Sequence, residues 1–123
     1  MPTKPEVDFV DPTPPTDLVV TELVEGTGTE AASGSTASVH YVGVAHSTCE
    51  EFDASYNRGE PLRFRLGAGM VIQGWDQGVA GMKVGGRRQL VIPPHLGYGQ
   101  RGAGGVIKPG ETLIFVVDLL EVR

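Results

Sequence analysis

The sequence predicts an α+β domain in which a curved antiparallel β-sheet of five to six strands wraps around one short α-helix. Three observations lead to this expectation. Five stretches rich in β-branched and aromatic residues are bounded by turn residues, as strands are. A single stretch repeats its apolar residues at helical spacing. The chain of 123 residues has room for one domain, and strands before and after one helix are typical of an α+β arrangement.

Residues 1–15 are predicted to form a flexible, acidic, proline-rich tail, and residues 16–123 to form the folded domain. Five of the nine prolines lie at or before residue 15. Each proline fixes φ and removes a backbone hydrogen-bond donor, which excludes a helix here. A polyproline II ligand is the alternative for this segment, although TPPT lacks a full PxxP context.

The predicted strands alternate apolar and polar residues or are apolar throughout. They are Leu18–Glu25, Ser38–Val44, Leu62–Leu66, Gln89–Ile92 and Thr112–Leu120. The third has a strict period of two, which places Leu62, Phe64 and Leu66 on one face. The last is long and apolar on both faces, so we expect it at the centre of the sheet.

The predicted helix lies within residues 71–82. The apolar residues of its one face, spaced i, i+4, i+8 and i+11, are Val71, Trp75, Val79 and Met82. Three glycines, Gly74, Gly78 and Gly81, lower its intrinsic stability by about 1 kcal/mol each. Such a helix is stable only when packed, and we expect it against the concave face of the sheet.

A glycine-rich loop of unusual length connects the last two predicted strands, from Tyr98 to Gly110. Loops of this length without secondary structure are uncommon in small domains and often functional. Solubility does not explain the apolar pair Val106 and Ile107 at its tip. The pair indicates an apolar lip over a pocket.

Charge and targeting patterns narrow the function classes. The net charge of −5 argues against nucleic-acid binding. Residues 1–61 carry a net charge of −9 and residues 62–123 a net charge of +4. The positive half could serve an anionic partner, but interleaving of the two halves in an antiparallel sheet is the simpler expectation.

No apolar run is long enough to span a bilayer and no leader segment is evident, so we expect a cytoplasmic protein without membrane partners.

Common catalytic motifs are missing from the sequence. It contains no HExxH, no GxxxxGK[ST] and no nucleophile elbow, so we expect neither a metal nor a cofactor. His40 and His46 share a strand face and are expected at the surface rather than as metal ligands. Cys49 is the only cysteine, and we expect an inert thiol in a turn.

What remains is a set of aromatic residues with a few polar ones. Its members are Tyr41, Phe52, Asp53, Arg58, Phe64, Trp75, Tyr98 and Phe115. The rings could simply be core, as we expect of Phe64. Trp75 could be core or the floor of a pocket. Asp53 could form a turn or belong to a site.

Several spaced motifs together resemble one known family. They are VHYVG (39–43), EFDAS (51–55), the run RFRLGAGMVIQGWDQGVAGMKVGGRRQLVIPP (63–94), YG (98–99) and GGVIKPGETLIFVVDLLEV (104–122). In order and separation they are similar to the FKBP-type peptidyl-prolyl cis-trans isomerases in their single-domain form. The resemblance covers residues 18–123 and implies the FKBP-like sheet and helix described above.

The resemblance also implies the residues of a pocket between helix and sheet. Asp53 would act on the substrate carbonyl, held by an ion pair with Arg58, and Tyr98 would donate its hydroxyl to a ligand carbonyl. The residues that it implies in catalysis are Asp53, Tyr98, Phe52, Trp75 and Arg58. Those that it implies in binding substrate or macrolide are Tyr41, Phe52, Asp53, Leu62, Val71, Ile72, Trp75, Tyr98, Val106, Ile107 and Phe115.

Three departures from the family pattern affect this pocket. Leu62 stands where phenylalanine is common, Ala103 where histidine is frequent, and Met70 where an acidic residue or glutamine is usual. These changes make the pocket more open and less aromatic. We therefore expect them to alter substrate preference and macrolide affinity more than activity.

The implied activity is rotation about X–Pro bonds in peptides and folding polypeptides, by a monomer that needs no cofactor. Macrolides such as tacrolimus or rapamycin are the implied small-molecule ligands. The alternative is a proline-motif or macrolide binding module with a chaperone role and little catalysis. A third possibility is an assembly factor recruited through the acidic tail.

Overall fold

A computed structural model describes residue 5, residues 15–100, residue 102 and residues 107–123. The strands are β1 (Val19–Val24), β2 (Thr36–Ala45), β3 (Glu51–Ala54), β4 (Leu62–Arg65), β5 (Arg87–Ile92) and β6 (Leu113–Val122). The helices are α1 (Ser55–Arg58), α2 (Gln73–Gly78) and a short 3₁₀ turn at Pro94–Leu96. Most of the predicted tail lies outside the described residues, and none of the described helices is long and apolar enough to cross a membrane.

The strands form one six-stranded antiparallel sheet in the order β1-β5-β6-β2-β3, with β4 paired to one end of β2. β6 lies between β5 and β2, which confirms the expected central place of the last strand. Phe64 and Leu66 are buried, as the period of two predicts. Most of the core lies between the sheet and α2. The predicted α+β fold is therefore confirmed.

α2 is shorter than the apolar pattern that predicted it, although Trp75, Val79 and Met82 are all buried. Its glycines have a packing role. A Cβ at Gly74 would lie 2.6 Å from the side chain of Ile92, and a Cβ at Gly78 would lie 2.7 Å from that of Leu90. The helix therefore rests almost directly on β5, and this contact fixes the height of Trp75 above the sheet.

Two short elements, β3 and α1, were not predicted as strand or helix from periodicity. Their lengths of 4 residues each are too short for a periodic signal. β2 and β3 are joined by a tight turn in which the Cys49 N–H donates to the Ala45 carbonyl at 2.8 Å. Cys49 is exposed with φ of 59°, so its place in a turn is as expected. The inertness of its thiol stays a prediction.

The expectation of a surface position is wrong for His40, which has 0% exposure. Its ring stacks on Tyr56 at 4.4 Å, and its Nδ1 lies 2.8 Å from the Ser55 hydroxyl. On the neighbouring strand β6 it pairs in register with Asp118, which Arg87 binds at 2.6 Å. Burial lowers the pKa of His40 below its ordinary value, although the negative charge of Asp118 acts in the opposite direction. Aromatic stacking and a hydroxyl partner thus explain how a histidine is accommodated in the core.

We expect the free energy of unfolding to fall as the pH drops below 6.5, the ordinary pKa of histidine, because of His40. A lowered pKa in the folded state means that the unfolded chain takes up the proton more readily, so acid favours unfolding. The stability due to neutral His40 is fully present above pH 6.5 and decreases from there toward its folded-state pKa. Urea unfolding between about pH 5 and 7.5 measures this slope.

Two variants isolate the contribution of His40. His40→Gln cannot titrate there, so it should lack this part of the slope even though it is less stable at every pH. His95→Gln removes an exposed histidine and should retain the slope. An unchanged slope in His40→Gln would show that other groups cause it.

Candidate active site

A cavity of about 230 Å³ opens between α2 and the sheet. Its walls come from β2, β3, β4, β6, the segment that leads from β4 into α2, α2 itself and the loop after β5. The lining residues are Tyr41, Phe52, Asp53, Leu62, Met70, Val71, Ile72, Trp75, Tyr98 and Phe115. Nine of these ten residues are ones that the family resemblance implies in binding. Their chemical roles remain predictions, but the structure brings them to one place.

Aromatic rings build the inner wall of this cavity edge to face. Trp75, which is 3% exposed, meets the rings of Tyr41 at 4.9 Å and Phe115 at 5.3 Å in T-shaped contacts. Phe52 packs against Phe115 in the same manner at 5.5 Å. Edge-to-face packing is the geometry that aromatic quadrupoles favour. Trp75 is thus both a core residue and a wall of the cavity. The two interpretations that the sequence left open for it, core residue and part of a pocket, are therefore compatible.

The carboxylate of Asp53 lies at the rim of this apolar wall in a network of three residues. Its Oδ1 accepts from Arg58 Nη1 at 2.6 Å, and its Oδ2 accepts from the Tyr41 hydroxyl. Arg58 Nη2 donates to the same hydroxyl oxygen at 2.9 Å. The expected ion pair is therefore present. The Arg58 and Asp53 side chains are 49% and 41% exposed, so the pair orients the carboxylate more than it stabilises the fold.

The electrostatics keep Asp53 charged and the two tyrosines neutral at ordinary pH. Partial burial by itself would raise the pKa of Asp53, but hydrogen bonds from Tyr41 and Arg58 outweigh it and the pKa is lowered. Burial and the hydrogen bond to Asp53 raise the pKa of Tyr41. Burial, with the nearby charge of Asp53, also raises the pKa of Tyr98. The rim therefore presents a fixed negative charge beside a tyrosine hydroxyl that can donate.

The loop residues expected at the lip are placed only in part. Ile107 is 6% exposed and packs with the core cluster, and it is not among the described residues that line the cavity. Its role in binding stays a prediction. Val106 and Ala103 lie outside the described residues.

The structure adds one lining residue and one connection to the sequence analysis. Met70 lines the cavity and is 64% exposed. The sequence marked it as a departure but assigned it no binding role, because an exposed methionine in a loop carries no periodic signal. The Tyr41 contact with both Asp53 and Arg58 was also missed, since Tyr41 precedes Arg58 by 17 residues.

A six-stranded sheet around a short helix, with an aromatic cavity between them, defines a domain of the FKBP type. Residues 27–120 match the sequence model of the family described as FKBP-type peptidyl-prolyl cis-trans isomerase. The chain belongs to this family and is therefore a peptidyl-prolyl cis-trans isomerase, as its motifs predicted.

Individual relatives agree with this assignment. The chain is 68% identical over 120 residues to a protein named FK506-binding protein from Streptomyces anulatus, covering 97% of each chain. It is 52% identical over 105 residues to a protein of the same name from Neisseria meningitidis, covering 85% of this chain and 95% of that one. The crystal structure of AtFKBP13 superposes with a TM-score of 0.81 at 41% identity, covering 91% of this chain and 98% of that one.

Proposed function

We propose that this protein accelerates rotation about X–Pro bonds in peptides and folding polypeptides by stabilising the twisted amide non-covalently in the aromatic cavity. The observation that carries the proposal is an apolar cavity with one ionised, doubly held carboxylate at its rim. The cavity supplies burial for a proline ring, and the rim supplies polar contacts for the peptide on either side of it.

The reaction requires no bond to break, only a partial double bond to twist. Rotation about a peptide C–N bond has a barrier of about 18–20 kcal/mol because resonance is lost at the twisted geometry. X–Pro bonds sample the cis form readily but exchange over tens of seconds or more. The twisted amide is less polar than the planar one. A cavity that excludes water therefore favours the twisted form relative to solution.

Asp53 would add a charge effect that differs between the two forms. As resonance is lost, the carbonyl oxygen of the substrate gives up part of its negative charge. A carboxylate beside that carbonyl repels the planar amide more than the twisted one, and only such a difference raises the rate. Arg58 and Tyr41 hold the carboxylate in place, so little reorganisation is needed during the reaction.

Binding would come from the rings and from Tyr98. Burial of a proline ring against Trp75 and its neighbours contributes about 2–3 kcal/mol from apolar area. The Tyr98 side chain is 40% exposed beside the cavity, where its hydroxyl can donate to a carbonyl of the bound chain. These interactions hold the peptide equally in both forms and so lower KM rather than raise kcat.

The same cavity would bind macrolides such as tacrolimus or rapamycin. The relatives named above are called FK506-binding proteins. The aromatic wall can also bury apolar surface of a macrolide, as it would bury a proline ring. Leu62 and Met70 in this wall give a less aromatic surface. We therefore propose macrolide binding at this cavity with an affinity adjusted by these two residues.

The decisive experiment is the rate of cis-to-trans exchange in an X–Pro tetrapeptide, with and without tacrolimus. The proposal expects acceleration that tacrolimus abolishes, because both ligands compete for one cavity. Bound tacrolimus without acceleration would indicate a binding module instead. Acceleration that saturating, bound tacrolimus leaves intact would place the reaction elsewhere on the surface.

Removing the charge of Asp53 should lower kcat/KM about tenfold, the effect of about 1.4 kcal/mol at the transition state. Asp53→Asn keeps the size of the side chain, so the aromatic wall should be preserved. The tetrapeptide assay at neutral pH measures the change. Glu60→Gln is the matched control, since it removes an exposed carboxylate seven residues away that does not line the cavity. Equal rates for Asp53→Asn and wild type would show that the carboxylate is only structural.

A further inference from the structure

Tyr41 is held by hydrogen bonds both at its side-chain hydroxyl and at its main chain, and only the hydroxyl belongs to the rim described above. Its hydroxyl donates to Asp53, while its main-chain N–H donates to the Ser55 hydroxyl oxygen at 2.7 Å. We propose that Ser55, oriented by His40, is a positioning residue that sets Tyr41 and through it the Asp53 carboxylate. This inference rests on the proposed role of Asp53.

The pairing of β2 with β3 ends next to Tyr41, and this explains why a serine side chain accepts the hydrogen bond from the Tyr41 N–H. β2 and β3 pair at Gly43 with Asp53 and at Val42 with Ala54, and the chain then turns into α1 at Ser55. The Tyr41 N–H is therefore left without a carbonyl from β3. The Ser55 hydroxyl accepts in its stead. Ser55 has 0% exposure, so in the folded protein bulk water does not compete with its hydroxyl for the Tyr41 N–H.

His40 fixes the direction in which the Ser55 hydroxyl points. The Ser55 oxygen lies 2.8 Å from His40 Nδ1 and 3.4 Å from the Tyr41 carbonyl. His40 Nε2 is buried and has no hydrogen-bond partner in the described part of the chain. A proton on Nε2 would be an orphaned buried donor, which is rarer and costlier than an unpaired acceptor. His40 therefore carries its proton on Nδ1 and donates it to Ser55.

With His40 donating, the roles of the Ser55 hydroxyl are fully assigned. Its oxygen accepts from His40 and from the Tyr41 N–H, and its single proton is left for the Tyr41 carbonyl. Both main-chain groups of Tyr41 are thus tied to one buried side chain. Tyr41 in turn meets Trp75 at 4.9 Å and holds Asp53. A displacement of the Tyr41 hydroxyl is therefore passed directly to the Asp53 carboxylate.

The first test removes the hydroxyl with Ser55→Ala. We expect kcat/KM to fall about tenfold, with most of the loss in kcat, because the contact acts on the geometry of the rim rather than on substrate binding. Ser55→Cys keeps nearly the same shape but bonds weakly, so it should show the same loss if alanine fails to fold. Ser38→Ala is the matched control. It removes the hydroxyl of a different buried serine, which lies on β2, and should retain the wild-type rate.

A double-mutant cycle separates positioning from general destabilisation. In an Asp53→Asn background, Ser55→Ala should cause no further loss, because the group that it positions is already gone. Loss of the full factor in that background, or a wild-type rate for Ser55→Ala, would overturn the inference. If Asp53→Asn alone leaves the rate unchanged, the proposed role of Asp53 fails first. The imidazole ¹⁵N spectrum gives an independent readout, in which His40 should show protonated Nδ1 in wild type and change in Ser55→Ala.

Discussion

Trp75→Ala is expected to lower the free energy of unfolding by about 3–5 kcal/mol, the usual cost of truncating a buried large aromatic residue. Trp75 is 3% exposed and packs edge to face with the rings of Tyr41, Phe64 and Phe115. Its removal takes the shared neighbour from all three rings at once. α2 is held on β5 through two glycines without side chains, so it has little means of closing the gap.

The measurement is denaturant unfolding followed by circular dichroism, because Trp75 is the only tryptophan and its fluorescence is lost in the variant. Trp75→Phe keeps a ring in the wall and should cost clearly less than alanine. Where enough of the alanine variant remains folded, its activity should also fall, since the cavity loses its largest wall. A loss below about 1 kcal/mol for Trp75→Ala would show that the site collapses and repacks without it.

The sheet could be predicted because its strands carry their burial in the sequence. Leu62, Phe64 and Leu66 alternate with arginines, and only one face of β4 is buried. The long apolar run of β6 fits a strand with neighbours on both sides. In both cases the local pattern and the tertiary environment agree.

The burial of His40 could not be predicted in this way. Its place in the core depends on stacking against Tyr56 and on a hydroxyl from Ser55, a residue 15 positions away in the chain. Composition and periodicity record neither partner. A lone histidine on a strand therefore looked like a surface residue, and the polar network behind Tyr41 was missed with it.

The sequence predicts which residues meet at the candidate site, but not the hydrogen bonds that join them. Spaced motifs pointed to the aromatic residues, to Asp53 and to its ion pair with Arg58. They did not indicate that Tyr41 links these two groups, or that Ser55 anchors Tyr41. Those contacts depend on how β2, β3 and α1 meet in three dimensions.

A glycine on β2 sets the shape of the aromatic wall. A Cβ at Gly43 would lie 2.7 Å from the rings of both Phe52 and Phe115, which is closer than non-bonded carbon atoms approach one another. Gly43 pairs in register with Phe115 on β6 and with Asp53 on β3. The glycine therefore makes room for the T-shaped contact between the two phenylalanines, which is 5.5 Å between centroids.

Gly43→Ala should accordingly lower kcat/KM by about 10- to 100-fold, because a displacement of about 1 Å at a binding wall can cost this much. Of the two rings, Phe52 is the more exposed and should move first. The tetrapeptide assay measures the loss, and unfolding curves show that the variant is folded at the assay temperature. Gly34→Ala, in a turn with open space around its Cβ, is the control and should retain activity, although its φ of 92° gives it some backbone strain. Wild-type activity in Gly43→Ala would mean that the wall is pliant, and that catalysis depends on the rim carboxylate more than on the fit of the rings.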